Sequence, residues 1–101
     1  MKFVIAWKIR AGNEREAVDR FLGTGDPLPN GVKTIGRWHR TDLQSGIHIV
    51  ESNDSSAMAQ YAAQWADLLD LETYAVIEDA EAIDAYKKIN GVMAQAAGTP
   101  R

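Results

Sequence analysis

"GRWHRTDLQSGIHIVE", residues 36–51, decides the fold. On either side of "TDLQS" the chain is rich in β-forming residues, and the segment between them is made of turn residues. The stretch therefore predicts two strands and a tight reversal. It also crowds Arg37, Trp38, His39, His48 and Glu51 into one hairpin. The remaining elements fall on either side of it.

Toward the N-terminus, "KFVIAWKIR" (2–10) alternates Phe3, Ile5, Trp7 and Ile9 with Val4, Ala6, Lys8 and Arg10, which predicts a strand. Gly12 breaks it. Asn13 then caps a helix, with Glu16 in capping-box position. Ala17, Val18, Phe21 and Leu22 follow helical spacing, and Gly23 and Gly25 end the helix. "DPLPNG" is a loop, because its prolines and glycine suit neither helix nor strand. The strand "VKTIGRWHRT" (32–41) leads into the turn, and "GIHIVES" leads out of it.

Toward the C-terminus, Asp54 or Ser55 caps the helix "SSAMAQYAAQWADLL". Its apolar stripe is Met58, Tyr61, Ala62, Trp65 and Leu69. "LETYAVIE" (71–78) is the fourth strand, and Asp79 caps a last helix carrying Ile83, Tyr86 and Ile89. Gly91 stops that helix, so residues 1–90 form a single domain and 91–101 a loose tail or arm. The order β-α-β-β-α-β plus a terminal helix is the ferredoxin-like α+β arrangement. Right-handed crossovers place both main helices on one face of a four-stranded antiparallel sheet, with the first and third strands central.

Both sides of that sheet carry apolar side chains, since Val4, Ala6, Tyr74 and Val76 oppose Phe3, Ile5, Ala75 and Ile77. A half-solvated sheet shows clean apolar–polar alternation instead. Two readings follow: small residues left partly exposed, or a second copy covering the bare face. The second is favoured, and it makes a homodimeric α/β barrel with a chamber between protomers.

The chain resembles the dimeric α/β-barrel superfamily, and more narrowly a small bacterial family catalogued as a domain of unknown function. The matching stretches are "WKI", "RFLGTGDPLPNGVKTIGRWH", "GIHIVES", "QWADLLDLE" and "AVIEDAEA", in order. The resemblance implies a ferredoxin-like protomer, usually a homodimer, and no established activity. Other branches are cofactor-free monooxygenases, haem-degrading oxygenases and lactone isomerases. The Asn–Trp–His set of the oxygenases has no residue-by-residue match here.

Composition narrows the function classes. The chain has 101 residues and a formal net charge of −3, with no basic run, which argues against nucleic acid and anionic membranes as partners. It has no cysteine, which rules out disulfides and thiolate metal sites and fits a cytoplasmic setting. Lys8 and Arg10 interrupt the first apolar run, so no signal peptide and no membrane span are expected.

Register decides which hairpin side chains converge. If Thr41 pairs with Gly46, His39 sits opposite His48, and Ile35, Arg37, His39, His48 and Val50 share one face. A bulge at Gly46 would send the histidines to opposite faces. The first register sorts polarity better. It puts the polar face on the cleft beneath the sheet, and Trp38, Ile47 and Ile49 against the helices. Glu51 then points away from the histidines, leaving too few ligands for zinc, so no metal or other cofactor is expected.

Arg37, His39 and His48 are the candidate ligand-binding residues, with His39 and His48 the candidate proton-transfer groups. Each also has a plain structural reading, as a hydrogen-bonded group in a cleft or a salt-bridge partner. Trp38 and Trp65 read as core, and Trp7 as core on the strand face it shares with Ile5. The functional expectation is a homodimer holding a small anionic or aromatic metabolite in the cleft. The alternative is a cofactor-free monooxygenase or isomerase using a cleft histidine.

Overall fold

The structure is a computed structural model, and it describes residues 1–96. The elements are β1 (Lys2–Ile9), α1 (Glu14–Thr24), β2 (Val32–His39), β3 (Ser45–Ser52), α2 (Ser55–Ala63), β4 (Leu69–Val76) and α3 (Asp79–Ala96). The sheet is antiparallel in the order β2-β3-β1-β4, the ferredoxin-like α+β order.

Register sorts the side chains into two faces, because directly opposed residues point the same way. Ile5 faces His48 and Thr73, Phe3 faces Val50 and Ala75, and Trp7 faces Gly46 and Leu71. This side meets α1 and α2. Its core includes Ile5, Val50 (no exposed surface), Ala17, Tyr61, Trp65 and Leu68. The other side carries Val4, Ala6, Ile49, Ile47, Trp38 and Tyr74. No helix covers it.

The hairpin departs from the expected register. Arg37 pairs with His48 and His39 with Gly46, two residues from the anticipated pairing. An even slip preserves the faces, so Arg37, His39 and His48 still lie together. The irregularity sits at Ile35, between Thr34 and Gly36, and not at Gly46. It leaves Ile35 outside the pairing, half exposed, and returns Thr34 to the face of Arg37 and His48.

The orientation of the hairpin is the reverse of the one anticipated. The Arg37–His39–His48 face looks toward the helices, and Trp38, Ile47 and Ile49 look outward. Trp38 is 56% exposed and is not core. Its indole packs over Gly36, where an added Cβ would collide with the ring. On the inner face the Trp7 ring covers Gly46 in the same manner. Each glycine makes room for a tryptophan to lie against the sheet.

Several boundaries also shift. Asn13 flanks α1 but its side chain makes no capping hydrogen bond, so the expected capping box with Glu16 does not form. Glu14 Oε2 instead accepts from the Gly12 N–H at 3.0 Å. Gly25, at φ 69°, ends α1 in the left-handed conformation that glycine adopts without strain. Asp54 caps α2 as expected, accepting from Ala57 N–H at 3.1 Å.

The second helix ends at Ala63, and residues 64–68 form turns that feed β4 at Leu69. Arg20 fixes that turn. Its guanidinium donates to Asp67 Oδ1 at 2.8 Å, to Asp67 Oδ2 at 2.7 Å and to the Gln64 carbonyl at 2.9 Å. It also lies over the Trp65 ring, 5.5 Å from the centroid.

The last helix passes through Gly91 and reaches Ala96, so that glycine is no stop and 91–96 is not a loose tail. A mid-helix glycine costs about 1 kcal/mol, which good helix formers on either side offset. Residues 97–101 of the expected tail lie outside the described residues. Asp79 is the first residue of α3 and not its cap.

This helix projects from the body. The radius of gyration is 18.5 Å, against roughly 13 Å for a compact chain of this size. Ile83, Tyr86, Ile89, Val92 and Met93 are all at least half exposed along α3.

Candidate functional site

A cavity of about 380 Å³ lies between the inner sheet face and the two helices α1 and α2. It lies within the single chain. The chamber anticipated under the bare sheet face is therefore not where Arg37, His39 and His48 point. Its walls are apolar: Ile5 and Trp7 from β1, Phe21 from α1, Trp65 beside α2, and Leu69 and Leu71 from β4. Its polar groups come from β2, β3, α2 and the loop after α1.

Asp26 organises them. It sits in the loop behind α1, at φ 54°, a left-handed conformation that aspartate adopts more readily than most residues. Its side chain is almost wholly buried and joins its loop to β2, α2 and the turn after α2 through three partners. Oδ1 accepts from the Trp65 indole N–H at 2.8 Å. Oδ2 accepts from the Tyr61 hydroxyl and from Arg37 Nη2. A buried carboxylate needs such partners, because an unpaired charge away from water is costly.

His48 lies beside this hub and is 2% exposed. Tyr61 Oη is 3.0 Å from His48 Nδ1, and Thr34 Oγ1 is 2.8 Å from Nε2. Because the Tyr61 hydroxyl gives its proton to Asp26, it is left to accept from Nδ1–H. That assigns the Nδ1–H tautomer, and Nε2 accepts from Thr34. The donors run in one direction, from Thr34 through His48 and Tyr61 to Asp26.

Burial, then the positive charge of Arg37, lowers the His48 pKa from 6.5 to about 4, so the ring is neutral at pH 7. Burial, then the hydrogen bond to Asp26, raises the Tyr61 pKa above its ordinary value of 10.0, so the phenol stays protonated. Among the described residues, no fully buried side-chain polar atom lacks a partner.

His39 sits at the cavity mouth. Its ring meets Trp7 edge-on at 5.2 Å and Phe21 at 5.7 Å. Arg37 lies over the Phe21 ring at 5.4 Å. The mouth is rimmed by Val18, Leu22 and Leu43, all exposed. All the anticipated site residues, Arg37, His39 and His48, thus line one cavity.

Sequence reasoning missed Asp26, Thr34 and Tyr61 as site residues. It took Trp65 as core, which its burial supports, without its hydrogen bond. The available signal was the pairing of Asp26 with glycine and proline neighbours, which marks a constrained turn and names no tertiary partner. Glu51 lies on the opposite sheet face from His48. No cluster of three or more metal-ligating side chains occurs among the described residues.

The family profile described as "Domain of unknown function (DUF3303)" matches residues 1–90. The chain belongs to this family. No curated protein matches the chain in sequence. Among solved structures, this DUF3303 protein is similar to "Structure of Rv0793 from Mycobacterium tuberculosis". The two are 17% identical, with 78% of this chain and 97% of that chain covered, at a TM-score of 0.47. No helix among the described residues of the DUF3303 chain is long and apolar enough to cross a membrane.

Proposed function

We propose that the protein is a homodimeric small-molecule binding module, with one ligand cavity inside each protomer. The observation that carries the binding reading is the 380 Å³ cavity with aromatic and aliphatic walls and a buried polar cluster at its edge. Ligand sites usually combine apolar walls with a few fixed polar groups, in volumes of roughly 300–1,000 Å³. The network of Asp26, Tyr61, Trp65 and His48 holds its side chains in place before any ligand arrives, which limits the ordering cost of binding.

The homodimer reading is supported by the bare sheet face. Trp38, Ile47, Ile49, Val4 and Tyr74 draw on all four strands, and a large apolar patch on a small protein marks a contact surface. The cytoplasm is the setting proposed for it, on the absence of cysteine.

A second reading, cofactor-free oxygenase or isomerase chemistry, draws on His39. His48 has both ring nitrogens engaged and a lowered pKa, which makes it a weak base at neutral pH. His39 stands at the mouth, where an incoming molecule meets it.

The binding reading is tested by thermal shift with a panel of small neutral aromatics, comparing the native chain with Ala62→Phe. Ala62 lines the cavity, and a phenyl ring there occupies ligand space. The expected result is stabilisation of the native chain by panel members and none of the variant. Equal shifts in both place the ligand elsewhere and overturn the reading.

A further inference from the structure

We infer that the cavity selects uncharged aromatic ligands carrying one hydrogen-bond acceptor, and that the Asp26–Arg37 pair is the element that rejects carboxylates. This rests on the reading of the cavity as a ligand site.

The argument is charge counting at short range. Five polar side chains face the cavity: Asp26, Arg37, His39, His48 and Tyr61. Arg37 is the only guanidinium among them, and its Nη2 is committed to Asp26 Oδ2. His48 and Tyr61 are neutral, so the inner wall carries one fixed negative and one fixed positive charge and sums to zero. His39 lies at the mouth, where water screens it.

An entering carboxylate would shed its hydration and meet a cation already neutralised, with the Asp26 charge alongside. An entering ammonium would meet an aspartate whose oxygens already accept from Trp65, Tyr61 and Arg37. Both charged classes lose. A neutral molecule loses little on leaving water, gains burial against Trp7, Phe21 and Trp65, and can accept from the guanidinium N–H groups not bound to Asp26. A ketone or phenol oxygen on an aromatic ring has that form.

This separates two ligand classes that the hairpin residues alone leave open. Arg37 read by itself suggests an anion clamp. Arg37 with Asp26 buried against it is a neutral donor plate. The rejection is built in by contrast with the partner a carboxylate would need, which is the kind of specificity that arises from unfavourable interactions with the wrong ligand.

The test is calorimetric titration of the full chain at pH 7 with three naphthalenes substituted at the same ring carbon: methyl naphthyl ketone, ethylnaphthalene and naphthoate. The ketone is expected to bind several-fold tighter than ethylnaphthalene and about tenfold or more tighter than naphthoate. Asp26→Asn removes the fixed anion and should raise naphthoate affinity about tenfold, bringing it close to that of the ketone. Should that variant not fold, Arg37→Met keeps the apolar stem and should bring the ketone down to the level of ethylnaphthalene.

Naphthoate binding as tightly as the ketone overturns the charge selection while leaving the cavity as a ligand site. A ketone preference that survives Arg37→Met overturns the role of the guanidinium. Failure of all three probes to bind overturns the cavity reading with it.

Discussion

Trp65 Nε1 donates to Asp26 Oδ1 at 2.8 Å across 39 residues of chain. That contact ties the loop after α1 to the turn after α2, and both to the inner face of the sheet through Arg37. The cavity wall and the polar hub are therefore one unit. Asp26→Ala should cost about 3 kcal/mol, because it orphans the Trp65 and Tyr61 donors and leaves Arg37 uncompensated. Trp65→Phe should cost about 1–3 kcal/mol. In a double-mutant cycle by urea denaturation the two effects should fall short of additive by roughly 1 kcal/mol. Strict additivity would show that the contact contributes nothing.

The depressed pKa of His48 sets a pH window for stability. Its value is about 4 in the folded chain against an ordinary 6.5, so between those values the unfolded chain holds a proton that the folded chain lacks. Stability should therefore fall as pH drops from 6.5 toward 4 and be fully present above 6.5. The loss attributable to this ring is on the order of 2–3 kcal/mol. His48→Gln should remove that part of the slope, leaving only what the carboxylates contribute near pH 4. Denaturation midpoints measured every half unit of pH check this, and parallel profiles for the two proteins would contradict it.

The topology was legible because local signals agreed with one another. Asn13, Gly25, the prolines of "DPLPNG" and the turn at "TDLQS" punctuate strands and helices whose periodicities are distinct. The grouping of Arg37, His39 and His48 was legible too, since side chains two residues apart share a face whatever the even register. Which face they share was not, because both faces of the sheet are apolar. Side-chain hydrophobicity alone could not say that Trp38, 56% exposed, looks out and His48, 2% exposed, looks in. Asp26 escaped notice for a different reason. Its partners stand 11, 35 and 39 residues away, and no local pattern announces such contacts. Gly91 misled because a glycine lowers helix stability without ending a helix whose neighbours favour it.

The outward sheet face carries its own prediction. Trp38→Glu or Ile47→Glu places a charge in the middle of the proposed dimer contact while touching neither core nor cavity. Sedimentation velocity at micromolar concentration should show the native chain as a dimer and each variant as a monomer, with helix and strand content unchanged by circular dichroism. Gly36→Ala should act in the same direction and more weakly, by lifting the Trp38 ring off the strand. A native chain that sediments as a monomer would contradict the homodimer.

The most direct measurement of the central claim uses the positions of the three tryptophans. Trp7 and Trp65 line the cavity between sheet and helices, whereas Trp38 lies on the opposite face. On titration of labelled protein with methyl naphthyl ketone, the indole N–H resonances of Trp7 and Trp65 should shift while that of Trp38 stays in place. A shift confined to Trp38 would put the ligand on the outer face and contradict the cavity as the binding site.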